Sequence, residues 1–150
     1  MRLIKRAVAG FVFLSLATTL AAFMVRKRIP AFGDSEDDQF SVVAAMDGTE
    51  FRSKTTRFEE GRAIAFMGGI ELDLAEADLA PGAYLTLRAV MGGIDVIVPA
   101  HWRVEVMGRS VMGGVGNLTD PDSPSDDSPI LLVDALAVMG GIEIHQVEAD

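Results

Sequence analysis

Four Met-Gly-Gly triplets, beginning at Met67, Met91, Met112 and Met139, recur at intervals of 24, 21 and 27 residues in a chain of 150. Another 21 residues before Met67 stands Met46, which opens a degenerate fifth copy with Asp47 in place of the first glycine. The second glycine is present in all five copies, as Gly48, Gly69, Gly93, Gly114 and Gly141. The residue two before each methionine is small: Ala44, Ala65, Ala89, Ser110 and Ala137. A period of this length marks a supersecondary unit that cannot bury its apolar face alone and does so by stacking on its copies.

The residues after each glycine pair identify the unit. Ile70, Leu72 and Leu74 alternate with Glu71 and Asp73; Ile94, Val96 and Val98 repeat the pattern, as do Ile142 and Ile144. Period-two alternation rich in β-branched side chains is a half-buried strand. The glycine pair is then a corner, because glycine reaches positive φ and lets two backbones approach. The expected fold class is all-β: a β-solenoid-like stack of about five short rungs. Each rung is a strand, a corner, a second strand and a return loop. At about 4.8 Å between strands the stack is roughly 19 Å tall. Met46, Met67, Met91, Met112 and Met139 are expected to pile up inside it as a core ladder, a role that suits a flexible thioether.

Departures from the shortest interval place the loops. The longest interval holds "DPDSPSDDSP" at 120–129, whose prolines and aspartates suit an exposed excursion. "APG" at 80–82 reads as a smaller loop, and "VPAHW" at 98–102 as a turn at Pro99 that sets Trp102 on the side or end of the stack. The one short helical candidate in this part of the chain lies around Leu74–Leu79.

Charge divides the chain differently. Residues 1–28 hold six of the 13 bases and no acid; residues 29–150 hold seven bases and all 22 acids, a net charge of −15. Such a body repels a phosphate backbone, which argues against nucleic acid as a partner. There is no cysteine, hence no disulfide and no thiolate metal site. Ala7 to Val25 is a run of 19 uncharged residues between basic clusters (Arg2, Lys5, Arg6 and Arg26, Lys27, Arg28). As a helix it is about 28 Å long, close to the ~30 Å of a bilayer core. A cleaved signal peptide is the competing reading, but "TLAAF" is a poor cleavage site and "RKR" follows it directly. The expected organisation is a membrane anchor with basic flanks at 1–28, an acidic linker at 29–39 and a β-repeat domain at 40–150. Localisation follows as a single-pass protein of the cell membrane. Positive charge is nearly equal on the two sides, and the N-terminal amine tips the domain towards the extracytoplasmic side.

Three stretches carry a resemblance: "FSVVAAMDGTEFRSKTTRFEEGRAIAFMGGIELDLAEADL", "AVMGGIDVIVPAHWRVEVMG" and "SVMGGVGN". Over residues 40–146 the chain resembles the C-terminal domain of the LiaF-like, cell-wall-active antibiotics response proteins of bacteria. The resemblance implies a membrane protein of envelope-stress signalling that is not an enzyme, with a sensor kinase or another envelope protein as partner. The best-known member has a bundle of membrane helices where this chain has one apolar segment, so the β domain can be shared while the output differs.

Chemistry-bearing residues are few. His145 falls on the outward face with Glu143, and His101 sits in a turn beside Trp102 without a carboxylate partner in view. Nothing in the spacing suggests a catalytic triad. "MGGIDV" lacks the further glycine, the lysine and the following helix of a phosphate cradle. Neither a catalytic residue nor a cofactor is therefore expected. One pattern stands out: the residue four after each methionine is acidic in four copies, Glu50, Glu71, Asp95 and Glu143, with Gly116 the exception. Stacked, these acids make an outward column. It is either a solvated face neutralised by Arg and Lys of adjacent strands, or a weak site for a divalent cation or a cationic peptide. Three functions are open to such a chain, in this order: a membrane-tethered regulatory or binding module, a structural or self-assembling envelope element, and, last, a cell-wall enzyme.

Overall fold

The structure, a computed structural model, describes residues 33–120, 122 and 127–147. The expected membrane anchor at 1–28 and part of the 120–129 excursion lie outside the described residues. So does residue 29–32 of the linker. Among the described residues there is no helix, and the Leu74–Leu79 candidate is a turn, with Ala77 N donating to Leu74 O at 3.0 Å.

The described chain is all-β, with ten strands in five corner-linked pairs. These are β1 (Gln39–Ala45) with β2 (Gly48–Arg52), β3 (Phe58–Phe66) with β4 (Gly69–Asp73), β5 (Leu79–Val90) with β6 (Gly93–Val98), β7 (Arg103–Val111) with β8 (Gly114–Asn117), and β9 (Ile130–Val138) with β10 (Gly141–Gln146). First strands form one five-stranded sheet in the order β1-β3-β5-β9-β7, and second strands form another in the order β2-β4-β6-β10-β8. All neighbours are parallel. The spatial order departs from chain order: the fifth pair is inserted between the third and the fourth, so β7 and β8 end the body.

The alternation behaves as the sequence implies. Ile70, Leu72, Leu74, Ile94, Val96, Val98, Ile142 and Ile144 are buried between the sheets, and Glu71, Asp95 and Glu143 point out. Ala44, Ala65, Ala89 and Ala137 are in register and fully buried, and the row ends on exposed Ser110 at the β7 edge. This row just before the corner, where the chain is about to cross to the second sheet, is the ladder inside the body.

The methionines are not. Met46, Met91, Met112 and Met139 are exposed, at 48, 49, 80 and 51%, and Met67 is half-buried. The expected core ladder is corrected to an outer row. Backbone geometry explains it. The methionines themselves take the left-handed conformation, with φ of 62° at Met46, 54° at Met67, Met91 and Met112, and 52° at Met139. A left-handed residue breaks strand parity, so a side chain that parity would send inward turns out.

The role given to glycine also changes. The doublets supply close approach, not positive φ, and it is the first glycine that does so. A Cβ on Gly68 would stand 2.2 Å from Asp47 O; on Gly92, 2.1 Å from Gly68 O; on Gly140, 2.1 Å from Gly92 O; and on Gly113, 2.0 Å from Gly140 O. Each such Cβ points towards the neighbour on the β1 side. Asp47 heads this series, in the pair that begins both sheets, and the first copy alone carries a side chain at this position. The second glycines, Gly48, Gly69, Gly93, Gly114 and Gly141, are in register at the start of the second sheet, but a Cβ on them would meet nothing closer than 3.8 Å.

Hydrogen bonds carry the ladder round each corner. Met46, Met67, Met91 and Met139 N donate to Phe66, Val90, Val138 and Val111 O at 2.8–3.0 Å. Gly69, Gly93, Gly141 and Gly114 N donate to Asp47, Gly68, Gly92 and Gly140 O, each at 3.1 Å.

Two smaller expectations are corrected. "APG" is not a loop but an irregularity inside β5: Phe58 pairs with Leu79 and Glu60 with Tyr84, so three extra residues bulge there, with Gly82 at φ 76°. Trp102 is not on the side or end of the stack; it is fully buried in the common core. The turn before it is as expected, with Trp102 N donating to Pro99 O at 3.3 Å. At the β1–β2 end, Phe40 packs on Phe51 (ring centroids 4.6 Å) and Phe58 (5.5 Å) and closes the core. The last linker residues are fastened to the body, since Asp38 O accepts from Glu59 N at 2.9 Å.

Candidate binding face

The outer face of the second sheet repeats one motif along the strands and is therefore banded across them. Parallel pairing without slippage puts like residues side by side. The acidic positions are in register as Glu50, Glu71, Asp95, Glu143 and Gly116. Two residues earlier runs the glycine row Gly48, Gly69, Gly93, Gly141 and Gly114, and two earlier again stand the methionines at the corner.

These bands have different chemistry. The glycine row strips the sheet to its backbone and leaves a shallow, open trough of about 460 Å³, lined by Gly48, Gly69 and Gly93 and walled by Glu50, Glu71 and Asp95. Packing does not require the second glycine, so the trough is what its lack of a side chain does. On the corner side, two residues before the glycines, Met46, Met91, Met112 and Met139 add exposed, adaptable apolar surface. The face therefore offers a backbone floor between an apolar edge and an anionic edge.

Compensation of the column is sparse. Adjacent carboxylates stand one strand spacing apart, about 4.8 Å, where like charges repel. Among the described residues no Lys or Arg pairs with Glu50, Glu71, Asp95 or Glu143. The nearby base Arg52 is engaged by Asp73, Nε to Oδ2 at 3.0 Å. This removes the expected neutralisation by Arg and Lys of adjacent strands. His145 meets the column instead. Its Nε2 lies 3.4 Å from Glu143 Oε2 and 3.8 Å from Asp95 Oδ1, and single ligand atoms of all three lie within 4.8 Å of one another. Glu143 reaches it along β10, two residues away on one face, and Asp95 reaches it diagonally from β6. The first contact is legible in the alternation; the second needs the register.

The other sites of interest lie apart. His101 is exposed in its turn, its ring 6.4 Å from and edge-on to Trp102. On the outer face of the first sheet, Arg88 donates from Nη2 to Asp134 Oδ2 at 2.9 Å and from Nη1 to Asp134 O at 3.0 Å. Arg109 Nη2 stands 3.9 Å from Asp134 Oδ1. The hydrogen bond from Arg88 holds the Asp134 carboxyl below the ordinary carboxylate range, helped by the charges of Arg88 and Arg109 and opposed by burial. The repeat marked this cluster only weakly: Arg88 recurs in one other copy, as Arg109, and Asp134 recurs in none. No family model, no curated protein and no solved structure matches the chain.

Proposed function

We propose that this chain is a membrane-anchored, non-enzymatic regulatory or binding module of bacterial envelope-stress signalling. Its acidic trough would receive a basic, amphipathic segment of a partner protein such as a sensor kinase. The observation that carries this reading is the in-register acidic column, with no Lys or Arg pairing to it among the described residues, beside a glycine-floored trough and two residues along the chain from exposed methionines. Cationic side chains meet the carboxylates there while apolar ones meet the methionine row. The anchor at 1–28 and the acidic linker at 29–39 keep the face near the membrane, where such a segment is met. The resemblance to LiaF-like domains supports the stress-signalling context. We read the five corner-linked pairs as rungs of one short solenoid-like stack, which holds the face rigid.

The test is genetic. The full chain with Glu50→Gln, Glu71→Gln, Asp95→Asn and Glu143→Gln replaces the native one in its own bacterium, and a stress-responsive reporter is read under a cell-wall antibiotic. The proposal expects an altered response at unchanged protein level; a response equal to that of the native chain refutes it. A reporter fused to the C-terminus decides the side of the membrane.

One contact set favours a second reading. Asp95, Glu143 and His145 offer two carboxylates and an imidazole to one divalent cation, with water in the remaining positions. Calorimetric titration with zinc, calcium and magnesium tests it against His145→Ala; absence of a histidine-dependent heat removes it.

A further inference from the structure

We propose that the chain associates with a second copy of itself through the free edge of β7, in a two-fold antiparallel pairing centred on Met107. Among the described residues β7 ends its sheet and pairs along one side, with β9; on its other side Val104 O accepts from Asn117 Nδ2 at 3.3 Å. Arg103 N donates to Pro129 O, and Val111 O accepts from Met139 N. The odd-numbered residues thus turn their backbone groups towards β9. The even-numbered ones, from Val104 to Ser110, turn theirs to the open side. Such an edge is a template for another strand unless something blunts it.

The two ends of the body are not alike. The β1–β2 end is closed by the three phenylalanines described above. At the β7–β8 end, the inward-facing Val106 and Val115 stay part-exposed. The four most exposed large apolar side chains among the described residues also belong to this end: Met107 at 58%, Val111 at 57%, Met112 at 80% and Leu118 at 59%.

Self-complementarity selects a second copy as the occupant. Centring the two-fold on Met107 pairs β7 along its whole length, Arg103 to Val111. In that register Val106 exchanges backbone hydrogen bonds with the partner's Gly108, and Val104 N donates to the partner's Ser110 O, while Val104 O keeps its bond from Asn117 Nδ2. A bulky inward side chain thereby faces a small one. On the outer face Glu105 stands opposite the partner's Arg109, twice by symmetry, in positions where side chains come closest. Sliding one step either way sets Arg103 against the partner's Arg109, or Glu105 against the partner's Val111. Full overlap and charge matching thus coincide in one register. The strongly negative body would oppose association, yet the β7–β8 pair carries Arg103, Glu105 and Arg109, a net charge of +1. The acidic column stops at Gly116, on the strand that would otherwise bring it against its own copy.

Because the chain has no cysteine, single-cysteine variants of the full-length protein in detergent read the register directly. Met107→Cys lies on the axis and is expected to give a disulfide-linked dimer under mild oxidation. Met112→Cys, at a more exposed but off-axis position, is expected to stay unlinked. Glu105→Arg or Arg109→Glu, introduced into Met107→Cys, each reverses two symmetry-related contacts and lowers linking about tenfold; the two together restore it. Equal linking at positions 107 and 112, or a double reversal no better than the singles, overturns the register. A monomer by light scattering with Met107→Cys unlinked overturns the dimer, and leaves the edge to an extended strand of a different protein.

Discussion

Gly92 lies so close to Gly68 that a Cβ on it would stand 2.1 Å from the Gly68 carbonyl oxygen, the same oxygen that accepts a hydrogen bond from Gly93 N at 3.1 Å. One oxygen thus fixes both the position of the next corner and the identity of the residue that can occupy it. Repeated along the body, this contact ties the spacing of neighbouring corners to the first glycine of each doublet. It also frees the second glycine to shape the outer face.

The left-handed methionines predict a gain from relaxation. A non-glycine residue in that region costs on the order of 1 kcal/mol relative to one that adopts it readily. Met91→Asn is expected to hold or raise stability by about 0.5 kcal/mol, and Met91→Ile to lower it by more than about 1 kcal/mol, because a β-branched side chain fits φ 54° poorly. Urea denaturation with unchanged m-values checks both.

The acidic column predicts a stability that rises with charge removal. Glu71 stands between Glu50 and Asp95, so Glu71→Gln is expected to stabilise the body by about 0.5 kcal/mol at low salt. At 1 M salt, where screening acts over about 3 Å, most of the difference should vanish. A Glu71→Gln variant no more stable than the native chain at low salt would show that the carboxylates do not strain one another.

Asp134 predicts an acid-side loss. Its folded pKa is depressed, chiefly by the Arg88 hydrogen bond. Its contribution is therefore present above the unfolded value and is lost as pH falls through the folded one. Starting near pH 4, the native chain should lose about 1 kcal/mol that Asp134→Asn never had. The two should converge at low pH in chemical denaturation curves; a constant gap would assign the effect to packing instead.

Much of this was legible in the sequence because parallel pairing in register copies the repeat into space. The burial of Ile70, Ile94 and Ile142 follows from alternation, and the alignment of Glu50, Glu71, Asp95 and Glu143 from their equal distance to the repeated corner. That Ala89 is buried while Met91 is exposed did not follow. Counting by twos puts both on one face, and a left-handed residue interrupts that count without a sequence signature when it is methionine. Nor could the intervals show that β9 and β10 insert between the third and fourth pairs, since intervals along the chain carry no order in space. The approach of His145 to Asp95 depends on register across two strands, so composition and spacing within one strand could not supply it.

The account's central claim is that the doublets are stacked corners held at backbone contact by their first glycine. Comparing Gly92→Ala with Gly93→Ala by chemical denaturation tests it most directly. The account predicts that Gly92→Ala costs more than about 2 kcal/mol, because a backbone carbonyl cannot move aside. Gly93→Ala, whose Cβ would lie 3.8 Å from Gly141 O, should change stability by less than about 0.5 kcal/mol. Equal costs at the two positions would contradict it.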